Sequence, residues 1–403
     1  MTPGAVVVSA HINGLGVIRA LAARGIPIAA VSTRPFDIAQ HSRWVSESHQ
    51  LFELHEEPGS LVEFLESRRA RWSGWVVFPT TDDALTALSQ HHDRLSRWYR
   101  LPLQPWELAS RIVDKDRMHE LAQAVGLGLP TCYGPATGDT AAEVRRYPVL
   151  VKPIQHDRLI SAFGAKVFLA EDAEGLRLAI DRLSGLGLRG LVFDFVPGPD
   201  SNLHVYCVYM DARGKPSAGV TVRKLRQTPP LIGGPRVCET TPELSALREA
   251  SVELLRHAGF HGMAFVEFKQ DSRTGAWVFI EVNGRAVQLG GILPPTGINL
   301  VDMAWSEIVH GELPRTRRNG WDGTWVHLLA DLRCWWSYRQ LERMSLPEFL
   351  APYRRPKTFA VWSASDPGPF LAEAALSVRL PIRTLRRGRR ADRQASRIMS
   401  SAR

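Results

Sequence analysis

Cysteine is scarce in this chain of 403 residues. Cys132, Cys207, Cys238 and Cys334 are its four, far apart, with no CxxC pair and no His at zinc-ligand spacing. Neither a disulfide framework nor a zinc site is indicated, and buried structural thiols are expected. Long apolar runs are missing too: no stretch of about 18 apolar residues is present to span a bilayer. The N-terminus, MTPGAVVVSAHING, lacks the basic segment and cleavage site of a secretory leader, so the expectation is a soluble, cytoplasmic protein. An excess of one charge is also absent from most of the chain. The net charge is +9, but residues 382–403 hold eight Arg and one Asp, which gives that tail +7 and leaves +2 for the rest. Nucleic acid is therefore not expected as a partner, and the tail reads as disordered and solvated. Internal repeats and low-complexity segments are lacking before it.

What is present is 44% hydrophobic content in a chain long enough for two or three domains. Its most informative stretch is 262–285, GMAFVEFKQDSRTGAWVFIEVNGR, in which two Val- and Phe-rich runs flank a polar turn. This reads as a β-hairpin. Symmetric folding sets Glu267 opposite Glu281 and Phe265 opposite Asn283. One face then carries Val266, Phe268, Val278, Ile280 and Val282. The other carries Glu267, Lys269, Glu281, Asn283 and Arg285, with Phe265 and Phe279 as its apolar members. Two carboxylates meeting across strands repel unless a cation lies between them. Oxygen ligands of this kind suit Mg²⁺ with nucleotide phosphates, and Arg285 is placed to meet a phosphoryl oxygen or a carboxylate. An exposed hairpin with solvated charges is the plainer alternative.

Upstream, an apolar run at 5–9, the segment HINGLGVIRALAARG and a second run at 28–32 give strand, turn, helix, strand. The Gly14-Leu15-Gly16 turn suits either an anion at a helix N-terminus or simple packing. A third glycine is absent and Thr33-Arg34 stands where an acidic residue would mark a dinucleotide site, which argues against NAD. Residues 75–79 form another strand candidate, closed by Thr80, Thr81, Asp82 and Asp83 as a helix start. Residues 105–125 read as two helices around Asp114-Lys115-Asp116-Arg117. In YPVLVKPI, 147–154, Lys152 lies among apolar neighbours, where burial is costly without an anion. LVFDFVPG, 191–198, is a strand with Asp194 inside and Pro-Gly at its end, and Asp200 follows. Arg223, Lys224 and Arg226, set before the Gly233-Gly234 loop, suit the binding of a carboxylate or a transferring phosphoryl group, with a solvated basic loop as the plainer alternative. Trp325 to Leu341 reads as a helix.

In its order of motifs the sequence resembles the ATP-grasp superfamily over roughly residues 1–310, with Glu267 followed fourteen residues later by Glu281-x-Asn283-x-Arg285. The resemblance implies a metal site on Glu267, Glu281 and Asn283, phosphate contacts from Lys115 and Lys152, and an adenine hinge at Asp194, Phe195 and Val196. It puts Asp200 near the ribose. The flap that closes over the phosphates in that family is glycine-rich, whereas 155–167 has Gly164 alone, so Arg158, Ser161 and Lys166 are the candidate donors. Arg285, Lys152 and Arg223 are the expected catalytic cations.

The fold class it implies is α/β: a Rossmann-like pre-ATP-grasp domain at 1–104, then an α+β ATP-grasp domain at 105–310 with a mobile lid subdomain at about 126–192. A helical, aromatic C-terminal extension at 311–381 and the basic tail at 382–403 follow. The implied activity is that of an ADP-forming carboxylate-amine ligase, which uses ATP with Mg²⁺ or Mn²⁺ to activate a carboxylate as an acyl phosphate. Its expected partners are a small-molecule carboxylate and amine, and a homo-oligomer fits the same reading. Alternatives are a carboxyphosphate or carbamoyl-phosphate enzyme and a nucleotide-binding regulatory protein that has lost turnover.

Overall fold

The computed structural model of the protein describes residues 2–55, 57–154, 159, 162–163 and 167–379. The flap donors Arg158, Ser161 and Lys166, the flap's Gly164 and the basic tail lie outside the described residues.

Strands β1 (Ala5–Val8), β2 (Ile28–Ser32), β3 (Glu47–Gln50) and β4 (Val76–Pro79) form a parallel sheet in the order β3-β2-β1-β4. Apolar runs suit strands covered on both faces. Val7, Ile28 and Phe78 pack on the side of the helix Ile12–Ala22, while Val6, Val31 and Val77 pack with the helices Gly59–Trp72 and Asp82–Gln90. The strand order reverses between β1 and β4, which opens a crevice at their carboxyl ends. Ser9 stands there in the left-handed region at φ 69°. Its Oγ bonds the hydroxyls of Thr81 and Thr33, and its carbonyl accepts from Thr80, so surrounding contacts hold the unfavourable backbone.

A second, antiparallel sheet has the order β5-β8-β6-β7, made from β5 (Cys132–Pro135), β6 (Val149–Pro153), β7 (Phe168–Ala170) and β8 (Gly190–Asp194). The third sheet has seven strands in the order β13-β12-β9-β10-β11-β14-β15. These are β9 (Leu203–Met210), β10 (Pro216–Thr228), β11 (Gly234–Thr240), β12 (Gly262–Gln270), β13 (Trp277–Asn283), β14 (Thr324–Val326) and β15 (Lys357–Phe359). One face buries Tyr206, Val208, Val266 and Phe268 under the helix Ser245–His257. The other packs Val205, Cys207, Val222, Cys238, Phe265 and Trp325 toward the N-terminal sheet.

Two elements depart from expectation. The aromatic extension begins with a strand, not a helix: Trp325 pairs with Cys238 at 1% exposure, and the helix starts only at Leu328 and runs to Leu341. The Thr-Trp-Val run suits a strand, and the sheet gives it a partner. The three cations expected in a loop lie instead on β10, a long strand whose register slips between Lys224 and Arg226. The end of the described chain returns to the N-terminal sheet through Asp366, whose carboxylate accepts from Arg19 Nε at 3.1 Å, Ser42 Oγ at 2.9 Å and the Arg43 backbone N–H at 2.9 Å. No described helix is long and apolar enough to cross a membrane.

Candidate functional site

The hairpin forms in the expected register: Glu267 is opposite Glu281 and Phe265 opposite Asn283. A bulge follows, so Phe268 meets Phe279 rather than Ile280, with ring centroids 5.9 Å apart. Phe279 therefore sinks into the core with Phe268 and does not join the carboxylate face, because one extra residue inverts the alternation.

The carboxylates do not face each other uncompensated. Lys224 Nζ donates to Glu267 Oε2 at 2.6 Å, with both side chains nearly buried. Burial works against the ammonium, but Glu267 more than offsets it and the Lys224 pKa is raised. Glu281, more exposed, accepts from Asn283 Nδ2 at 3.1 Å.

Pairing across the sheet settles which neighbouring cation shares this face. Glu267 pairs with Val205 and Val205 with Val222, so Lys224, two residues on, shares their side. Arg223 pairs with His204, which pairs with Phe268, and so lies on the opposite face. Its Nε donates to Glu239 at 2.8 Å. The expected catalytic role of Arg223 is thus corrected: Lys224 occupies the carboxylate face. Arg226 forms a buried bidentate pair with Asp331 at 2.8 Å for each bond, a structural contact.

Lys152 projects from β6 with Nζ 4.9 Å from the centroid of Phe193. Burial draws its pKa down, while the charges of Glu281, Cys132 and Glu267 pull the other way, which puts the lysine within electrostatic reach of the carboxylate pair. Lys115 begins the helix Lys115–Ala124 because Asp114 caps it, accepting from the N–H groups of Asp116 and Arg117 at 3.0 and 3.2 Å. Lys115 Nζ reaches the Pro153 carbonyl at 3.3 Å, beside Lys152. One turn on, His119 stacks on the same Phe193 at 5.2 Å. Nothing in the sequence pattern marks His119.

Arg285 is held by Asp82, with Nε to Oδ1 at 2.7 Å and Nη2 to Oδ2 at 2.8 Å. Thr81 caps the helix that begins at Asp82, which leaves the first-turn carboxylate to tie the N-terminal sheet to the hairpin. The expected contact of Arg285 with a phosphoryl oxygen is accordingly replaced by this fork. Gly14 proves to be a packing residue, since a Cβ there would stand 2.9 Å from the Ser9 carbonyl oxygen.

At the hinge, the Phe195 N–H donates to the Pro148 carbonyl at 3.3 Å and the Asp194 N–H to that of Thr131 at 2.9 Å, while Asp194 Oδ1 accepts from Tyr133 at 2.8 Å. Phe195 and Val196 are both buried side chains. Asp200 is corrected: it is 1% exposed, and its oxygens accept from Gln227 Nε2 at 2.7 Å, the Leu231 N–H at 2.9 Å and the Tyr338 hydroxyl. It anchors the hinge loop instead of facing a ribose.

Lys269, two residues past Glu267 on the same face, is 3% exposed, with Nζ 4.6 Å from the Phe195 ring centroid. Burial lowers its pKa to about 8, against the opposing charges of Asp200, Asp271 and Glu342. The folded chain thus holds this proton less tightly than the unfolded one, and stability should rise with pH between about 8 and the ordinary 10.5. Chemical denaturation from about pH 7 to about pH 10 should show Lys269→Met starting more stable than wild type and losing that advantage, by up to about 3 kcal/mol. An advantage that stays constant with pH would show that Lys269 titrates normally.

Comparison with known proteins places these features. The family described as carbamoyl-phosphate synthase L chain, ATP binding domain, matches residues 232–311. A D-aspartate ligase of Enterococcus faecium (strain Aus0004) is 24% identical over 264 residues, 61% of this chain. The alignment spans 62% of that ligase's length. Among solved structures, an L-amino acid ligase from Bacillus licheniformis superposes with a TM-score of 0.62 at 15% identity over 78% of each chain. The ADP-bound N5-carboxyaminoimidazole synthetase of Staphylococcus aureus gives 0.65 at 12% identity, covering 84% of this chain and 87% of its own. With its two sheets of four strands and its seven-stranded sheet carrying the carboxylate pair, the chain shares the fold of these two solved enzymes.

Proposed function

We propose that this protein is an ADP-forming ligase that activates a carboxylate as an acyl phosphate and passes the acyl group to an amine. The observation that carries the reading is the register of Glu267 against Glu281 on a face shared with Lys224 and within electrostatic reach of Lys152. The ligase names of two relatives support it.

Two carboxylates and an amide carbonyl form an oxygen-only donor set that fits Mg²⁺ or Mn²⁺, so Glu267, Glu281 and Asn283 would hold the ion. When bound it supplies positive charge to the terminal phosphates of ATP. Lys152 and Lys115 add charge from the β6 side. Lys224 keeps Glu267 oriented and anionic, and Arg285 with Asp82 keeps the N-terminal crevice against the hairpin. Positioning and electrostatics suffice for phosphoryl transfer of this kind. A covalent thiol intermediate finds no support in Cys207, Cys238 or Cys334, whose burial raises each thiol pKa, in Cys334 to about 11.

Hydroxylamine added with MgATP and the cognate acid should trap a hydroxamate, because an acyl phosphate is electrophilic and a small amine replaces the natural acceptor. The match to the carbamoyl-phosphate synthase domain favours a second reading, in which bicarbonate is the acid. ADP release that depends on bicarbonate alone, with no hydroxamate from any organic acid, would replace the first reading with the second.

A further inference from the structure

A second polar cluster lies in the crevice between the N-terminal sheet, β11 and the C-terminal extension. His11 enters it just past β1, directly before the helix Ile12–Ala22, and its side chain makes no capping bond. Arg236 projects from β11; it is two residues from Cys238, which pairs with Lys224, and therefore lies on the face that carries Glu267. The His327 N–H bonds the Arg236 carbonyl at 2.8 Å, which brings the start of the extension alongside. His327 Nε2 in turn meets Glu373 Oε1 from the helix Gly368–Arg379. Gln288 completes the cluster. A Cβ built on Gly234 would stand 3.6 Å from Arg236 Nη1 and 3.8 Å from Gln288 Oε1, so the bare glycine leaves open the space where these two groups converge.

The polar atoms of this crevice are poorly satisfied from within the chain. His11 Nδ1, Arg236 Nε, Gln288 Oε1, His327 Nδ1 and Glu373 Oε2 are each buried without a hydrogen-bond partner. His11 Nδ1 approaches Asp37 Oδ1 only to 3.9 Å. Buried polar atoms are ordinarily paired, and leaving one unpaired costs about 1–3 kcal/mol, so several in one crevice indicate a ligand. Their chemistry is divided. Arg236 Nε is a donor and wants an anion. With its Nε2–H given to Glu373, a neutral His327 presents Nδ1 as an acceptor, and Glu373 Oε2 and Gln288 Oε1 are acceptors as well. Burial lowers the His327 pKa, and it lowers that of His11 to about 4, which favours neutral rings.

We propose that His11, Arg236, Gln288, His327 and Glu373 form a second-substrate site for a molecule that carries an ammonium group beside a carboxylate, and that the segment beyond residue 311 completes it. The carboxylate lies against Arg236, and the ammonium donates to Glu373, His327 and Gln288. The ligand is thereby the acceptor amine of the ligase reading, on which this assignment rests. Gln288 lies three residues past Arg285, so the chain runs directly from the hairpin that holds the carboxylate pair into this cluster.

The test uses the full chain with MgADP, a panel of L- and D-amino acids, and the amide and N-acetyl derivative of each. Saturation-transfer NMR on the wild type should show at least one amino acid binding, with its amide and N-acetyl forms weaker by roughly tenfold or more, the loss of one charge-assisted hydrogen bond. In thermal melts, Arg236→Gln and Glu373→Gln should lose the amino-acid stabilisation and keep that given by MgADP. Amides and N-acetyl forms that bind as well as their parents would overturn the proposal, as would parent binding unchanged in both variants. Nucleotide binding with hydroxamate trapping, but no amino-acid binding, sinks this site and leaves the ligase reading standing. Amino-acid binding without any trapped hydroxamate does the reverse.

Discussion

Glu281→Gln should lower ATP-dependent turnover by roughly two to three orders of magnitude while leaving the ligand-free melting temperature almost unchanged. The size follows from removing one full charge at the proposed seat of the terminal phosphates, the scale seen when a single preorganised electrostatic contact is lost. Small stability effects follow from two features. Glu281 is exposed, and Lys224 already offsets Glu267, so little carboxylate repulsion remains to be relieved. Thermal melts of wild type and variant, each with and without MgATP, provide the check. A variant that melts lower without ligand and still gains the wild-type stabilisation from MgATP would show that Glu281 is not a metal ligand.

A larger effect on the fold itself is expected from Lys224→Met. The substitution leaves the Glu267 carboxylate buried without its ammonium, and breaking one side of a buried ion pair typically costs about 3–5 kcal/mol. A divalent cation can take over the missing charge. Stability of the variant should therefore rise steeply with added Mg²⁺, whereas wild type should respond weakly. Urea denaturation across an Mg²⁺ series, with and without ATP, distinguishes the two. A loss of stability in Lys224→Met that no concentration of Mg²⁺ recovers would mean that Glu267 does not serve the ion.

The parts of the site legible in the sequence were those set by local pattern. Alternation and a turn were enough to place Glu267 opposite Glu281, and the pattern over 105–125 was enough for the two helices Trp106–Val113 and Lys115–Ala124. What escaped the sequence came from partners remote along the chain. Asp200 looked like a turn residue near a ribose, yet Tyr338, 138 residues away, takes one of its oxygens. Arg223 looked like the catalytic cation of its basic segment, with Lys224 beside it unassigned. Only strand pairing, which depends on β9 and β12, puts them on opposite faces. Arg285 looked ready for a phosphate because nothing local showed that Asp82, 203 residues earlier, would hold it. Phe279 was misplaced by a single bulge, which no propensity in the hairpin announces.

Asp366 has a consequence for the order in which the protein comes into being. Its bonds to Arg19, Ser42 and Arg43 join residues separated by up to 347 positions, so the rim of the β1–β4 sheet is finished by a segment made long after it. A chain emerging from the ribosome can pair β1 to β4 early, but it carries an unclosed rim until residue 366 has been made. Native contacts of such high sequence separation slow folding and prolong the exposure of apolar surface. Synthesis of residue 366, rather than completion of the four strands, is thus the point from which this sheet can close its rim.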